Sequence, residues 1–149
     1  RRHEDGPMSR YIWAPELHRI DGKWMIYFAA AQAEPDEHGV FDHRIYALAN
    51  DAQNPMEGRF EECGQIQTGM ESFSLDATSF SSGGQRYFVW AQRDYAIPGN
   101  SNLYIARMRS ATELELPGGE TRTLGPWEGR LLRLEACQAA EDVLSERGF

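Results

Sequence analysis

Asp76 is the carboxylate of this sequence best placed to do chemistry. It lies in the stretch 71–92, ESFSLDATSFSSGGQRYFVWAQ, between Leu75 and Ala77. A Gly83-Gly84 turn and the apolar run Tyr87-Phe88-Val89-Trp90 follow it. A carboxylate beside an apolar strand can have its ionisation tuned by its surroundings and act as an acid or base. An aspartate in such a place also serves as a turn or cap residue. The other reactive side chains offer less. His18, His38 and His43 lack the i, i+4 spacing of metal ligands, which favours solvated or hydrogen-bonded imidazoles over a metal site. Cys63 and Cys137 do not form a C-x-x-C pair, so two buried or idle thiols are expected, with a disulfide between them as the alternative. Gly83-Gly84 and Gly118-Gly119 are not followed by a helix opening on Gly-Lys-Ser/Thr, and read as turns rather than phosphate loops.

Composition narrows the partner. The net charge is −8 and the basic residues are scattered, which argues against a nucleic acid or an anionic membrane surface. No run of about 18 apolar residues is present to span a bilayer. With 149 residues, 41% of them apolar, the chain can bury one real core. Its four Trp, six Tyr and seven Phe fall mostly in strand-like runs, where such residues favour sheets and can also form platforms for sugars.

The elements that must position Asp76 come in two similar sets. The segment from Tyr11 to His18 contains Pro15, which excludes a helix and a central ladder position. Asp21-Gly22 signals a hairpin. Strands are expected at 23–31 (KWMIYFAAA), 43–49 (HRIYALA) and, more weakly, 60–68. The plan then recurs about 60 residues on: 76–80 takes the place of 15–20, Gly83-Gly84 that of Asp21-Gly22, 86–92 (RYFVWAQ) that of 23–31, and 102–108 (NLYIARM) that of 43–49. Self-similar four-stranded units at 11–70 and 74–128 are the mark of propeller blades. An ordinary meander or sandwich is the alternative. The tail differs. Over 130–147 (RLLRLEACQAAEDVLSER), Leu132, Ala136, Ala140 and Val143 fall at helical spacing, and Gly148 follows as a stop. The fold class read from sequence is therefore all-β, a partial propeller of two four-stranded blades over 1–129, with a C-terminal amphipathic helix over 130–149.

Several of these motifs together resemble glycoside hydrolase family 43, and within it the α-L-arabinofuranosidases. They are Ile12-Trp13-Ala14-Pro15-Glu16-Leu17-His18 with Asp21-Gly22-Lys23-Trp24, then Phe73-Ser74-Leu75-Asp76-Ala77-Thr78, Trp90-Ala91-Gln92 and Asn100-Ser101-Asn102-Leu103-Tyr104-Ile105-Ala106. The likeness runs from about residue 1 to Pro126-Trp127-Glu128. It implies a five-bladed propeller, a site at the mouth of its channel, inverting hydrolysis and pentose-containing polysaccharides as substrates. Of the family's three carboxylates, Asp76 matches the one that holds the general acid and raises its pKa. The general base belongs to an Asp-Pro element that no residue here matches, so the chain reads as an internal fragment. The acid's Asn-Glu-Gly-Pro-Ala-like element is also missing after Trp127-Glu128, and Glu135 lies near the expected distance without matching flanks.

Inverting hydrolysis needs an acid and a base about 6.5–9.5 Å apart. Asp76 alone is therefore expected to give negligible turnover. The resemblance makes Trp13, Glu16, Phe73 and Trp90 candidate substrate-binding residues. Trp13 suits a stacking platform and core packing equally, mid-strand Trp90 suits a core, and Glu16 suits a structural hydrogen bond. No cofactor is implied, although members of the family can hold calcium in the channel. The expected partners are a pentose-containing polysaccharide or oligosaccharide, and a second copy of the chain in a homodimer or higher homo-oligomer that covers the open blade faces. The alternatives are a non-catalytic carbohydrate-binding module and a self-assembling half-propeller.

Overall fold

The computed structural model describes residues 3–32, 34–37 and 39–116, together with the backbone of 122–123. Two antiparallel sheets follow one another along the chain. The first has the order β1 (Arg10–Ile20), β2 (Lys23–Ala31), β3 (Arg44–Asn50), β4 (Glu61–Gln65). The second runs β5 (Ser74–Ser82), β6 (Gln85–Gln92), β7 (Asn102–Met108). Its fourth position is shared by two short segments, β8 (Leu114–Glu115), which pairs with the end of β7, and β9 (Arg122–Thr123), which pairs with its middle. The two meanders and the all-β class are as expected. The helix expected over 130–147, with Glu135 and Cys137, lies outside the described residues, as does His38.

Local chemistry explains the hairpins. Asp21 and Gly22 both have positive φ, at 50° and 81°, and so do Gly83 and Gly84, at 54° and 74°. Two consecutive left-handed residues make the turn whose twist matches the flanking strands. The sheets repeat in register as well as in outline. Trp13 pairs with Ala29 in the first sheet and Leu75 with Ala91 in the second. From 13 to 75 and from 29 to 91 is the same step of 62 residues. In the third strands the step shortens: Phe28 pairs with Tyr46 and Trp90 with Tyr104, so 46 to 104 is 58 residues. The loop between the second and third strands is shorter in the second sheet.

The first strand of each sheet is bulged near its start. On β1 the register shifts between Arg10 and Trp13 and again between Trp13 and Glu16; on β5 it shifts between Leu75 and Thr78. At each shift two residues oppose one, and the first of the two has left-handed backbone: Tyr11 (φ 50°), Ala14 (φ 45°) and Asp76 (φ 51°). Pro15 sits inside the second of these bulges, on an edge strand, where its missing N–H costs no ladder bond.

The main core lies between the sheets. Met25, Tyr27, Ile45 and Ala47 of the first meet Phe88, Trp90, Tyr104 and Ala106 of the second. Tyr27 packs edge-on against Phe88, with centroids 5.1 Å apart, and its hydroxyl donates to the Ala111 carbonyl at 2.6 Å. The odd positions of β2 and the even positions of β6 face this core, so the sheets contribute opposite faces. A smaller cluster, Phe28, Ala30 and Tyr46 with Met8, Ile26 and Leu48, covers the other face of the first sheet.

Candidate active site

Where β1 and β5 begin, the bulges bring four groups together. Trp13 stacks over the imidazole of His43, with centroids 4.0 Å apart and planes inclined at 32°. Phe41 meets the indole edge-on at 5.1 Å, and Tyr11 lies against Phe41 at 4.4 Å. Trp13 still keeps 41% of its surface exposed, so the side of the indole away from His43 is open to solvent. An indole held on one side and free on the other is the arrangement that sugar stacking requires. Asp76 is exposed beside this cluster, near enough for its charge to act on the His43 ring.

The reason Asp76 projects there is its backbone. In a regular strand, residues 75, 76 and 77 would alternate between faces. The bulge inserts a residue and turns Asp76 away from the core, while Ala77 keeps its buried place. A left-handed conformation costs a non-glycine residue, though an aspartate less than most. Non-glycine residues held in that region cluster at functional sites.

His43 is 1% exposed. Its Nε2 lies 2.9 Å from the Tyr11 carbonyl, and its own carbonyl accepts from the Ser74 N–H at 2.9 Å and from Arg44 Nη1 at 3.0 Å. Burial holds the imidazole below the ordinary histidine range; the Tyr11 carbonyl and the charges of Asp76 and Asp42 pull the other way without overcoming it. A cavity of about 740 Å³ lined by His3, Glu4, Ser9, Arg10 and Tyr11 adjoins the cluster through Tyr11. At its rim Glu34 accepts from Arg10 at 3.0 Å and from the Tyr11 hydroxyl.

The other residues singled out in the sequence fall elsewhere. Glu16 lies further along β1 and accepts from His18 Nε2 at 3.1 Å, a structural bond. Phe73 is buried in the turn before β5, its carbonyl accepting from the Arg93 N–H. Trp90 has no exposed surface; it stacks on Tyr104 at 5.8 Å and donates its indole N–H to Gln92 Oε1 at 2.7 Å. Both aromatics are thus buried within the described residues, whereas Trp13 is exposed. Among the described residues, no three His, Cys, Asp or Glu side chains converge as a donor set for the calcium that the resemblance allows. Nor is any helix there long and apolar enough to cross a membrane. Sequence reasoning missed His43 and Phe41 as site residues. Their signal was the spacing: Tyr11/Trp13 and Phe41/His43 are both aromatic pairs at i, i+2, which share one face of an extended chain.

The model of the family described as glycosyl hydrolases family 43 matches residues 1–140, past the Pro126–Glu128 limit read from sequence. An extracellular exo-alpha-(1->5)-L-arabinofuranosidase of Streptomyces chartreusis is 45% identical over 131 residues, covering 86% of this chain and 38% of the relative. The alpha-L-arabinofuranosidase 43 of Humicola insolens is 42% identical over 118 residues, covering 78% and 24%. The crystal structure of an alpha-L-arabinofuranosidase from Lactobacillus brevis superposes with a TM-score of 0.77 at 47% identity, covering 83% of this chain and 39% of that one. The chain therefore spans less than two fifths of the length of each of these relatives.

Proposed function

This chain belongs to glycosyl hydrolases family 43, and on that premise we propose that it supplies one wall of the sugar pocket of an α-L-arabinofuranosidase-type glycoside hydrolase. The two sheets are then neighbouring blades of a five-bladed propeller, and the ends where β1 and β5 begin face the mouth of its channel. Trp13 is the platform for the arabinose ring. Asp76 is the carboxylate that orients the general acid, the one of the family's three that this sequence matches. The reaction is inverting hydrolysis of arabinose-containing polysaccharides or oligosaccharides.

The observation that carries the reading is the pairing of an open indole face with a carboxylate that a strained bulge turns out of its strand. Arabinofuranosidase relatives at 42–45% identity support the substrate class. Linear arabino-oligosaccharides should quench the fluorescence of Trp13 and retard the protein in arabinan-containing gels. Neither effect, together with no hydrolysis of a chromogenic arabinofuranoside, would overturn the reading. The expected homodimer belongs to the same proposal, since the outer face of each sheet carries half-buried apolar residues, among them Ile26 and Leu48 on one and Val89 and Ile105 on the other. Light scattering at low micromolar concentration tests it: a monomeric mass independent of concentration would count against it.

A further inference from the structure

We propose that His43 is a positioning residue of this site: its neutral imidazole holds the strand carrying Trp13, and its backbone carbonyl holds the strand carrying Asp76. The inference rests on the reading of Trp13 and Asp76 above and goes beyond it, by naming the group that fixes the indole relative to the carboxylate.

The need for such a group lies in β1. Its register shifts on both sides of Trp13, at the Tyr11 and Ala14 bulges, so the ladder to β2 does not by itself fix the indole's direction. His43 makes up the deficit with three contacts. Its Nε2 meets the Tyr11 carbonyl, inside the first bulge. Its ring backs the indole of Trp13. Its carbonyl accepts the N–H of Ser74, two residues before Asp76. One buried residue therefore indexes both bulged strands.

The proton inventory follows from the partners. A carbonyl only accepts, so Nε2 carries the hydrogen and Nδ1 is left as a bare lone pair. Nδ1 is buried and has no hydrogen-bond partner among the described residues. A second proton would have to go there, creating a buried donor with nothing to receive it. The charged groups that face the ring are Asp76 on β5 and Asp42 on its own segment, with Arg44 next in sequence and held by Asp42. Both carboxylates favour the cation, and burial outweighs them. Acid conditions should therefore loosen the clamp from the Trp13 side.

The test separates the clamp from the sugar. The emission of Trp13 alone is the difference between the protein and its Trp13→Phe variant, since a protonated imidazole quenches an indole stacked on it. That emission should be flat from pH 8 to about pH 6.5 and fall below it; in His43→Gln it should be flat throughout. A wild-type profile without the acid step overturns the proposal. The second arm is titration with a linear α-1,5-arabino-oligosaccharide at pH 7. His43→Ala should weaken binding by about three- to tenfold, the worth of one aromatic stack, and His43→Gln, which can still donate to the Tyr11 carbonyl, should recover part of the loss. Unchanged binding in folded His43→Ala also overturns the proposal. An acid step in Trp13 emission without any oligosaccharide binding by the wild type would overturn the sugar-site reading instead, and leave the coupling of His43 to Trp13 standing.

Discussion

Ala14 and Asp76 occupy the same place in two different sheets. They are 62 residues apart, each is the first residue of a two-against-one bulge on the first strand of its sheet, and their φ values are 45° and 51°. One carries a methyl group and the other a carboxylate. The bend is thus a property of the repeat, present whether or not a charged group is displayed on it. The chemistry comes from what is placed on the bend. A second pair makes the same point about burial. Phe28 and Tyr46 face each other across the first sheet with centroids 5.9 Å apart, and Trp90 and Tyr104 do so at the matching register of the second, at 5.8 Å. The first pair lies in the minor cluster and the second in the main core.

The sharpest way to break the comparison is at the bulge. Asp76→Asn keeps the backbone and removes the charge. Turnover of a chromogenic arabinofuranoside is expected to be negligible in this chain, and any weak hydrolysis it shows should vanish into background in the variant, with an unchanged circular dichroism spectrum. Ala14→Asn at the matching site should leave turnover alone. Equal losses at the two positions would mean that strain, and not the carboxylate, is what matters.

The two tryptophans give the next contrast. Trp90→Ala opens a cavity between the sheets and should cost about 3–5 kcal/mol in denaturant melts, enough to threaten a marginally stable fold. Trp13→Ala should barely move the melt and should abolish oligosaccharide quenching. A reversed pattern would exchange the roles assigned to them.

Acid provides a finer probe. Because burial holds the folded His43 below the ordinary histidine range, the unfolded chain takes up the proton first. Stability should be steady above about pH 6.5 and decline as pH falls from there through the depressed folded value. His43→Gln should remove that part of the slope, as melts from pH 7.5 down to pH 5 would reveal. The smallest effect is relief of strain. Ala14→Gly accepts the left-handed backbone freely, and should raise stability by about 0.5–1 kcal/mol once glycine's greater unfolded-state freedom is set against it. A loss would indicate that the bulge is held by more than its φ.

Much of the fold was legible because hairpins announce themselves locally. Asp21-Gly22 and Gly83-Gly84 mark turns that only left-handed residues can make, and β2, β3, β6 and β7 follow from the apolar runs beside them. The bulges were not legible. No residue type at Tyr11 or Ala14 asks for positive φ, and the conformation comes from the pairing of the whole strand. Trp90 and Trp13 are the same side chain to a sequence reader; what separates them is which face of which sheet meets the other, a tertiary fact. Asp76 could be found because its neighbours match a known pattern, whereas His43 acquires its role only when the residue leading into β3 meets Tyr11 and Trp13 of β1 and Ser74 of β5.

The use of odd positions on β2 and even positions on β6 has a consequence for how such a molecule can grow. The sheets meet front to back, like steps of a stair, and not face to face like a clasp. A joint between unlike surfaces has a direction, and what it permits once it permits again, until the succession closes on itself. A whole additional step could be inserted without redrawing the seam already made. A single extra residue within β2 would instead turn that strand's side chains over, sending Tyr27 outward and Phe28 inward, and the stair would lose its tread.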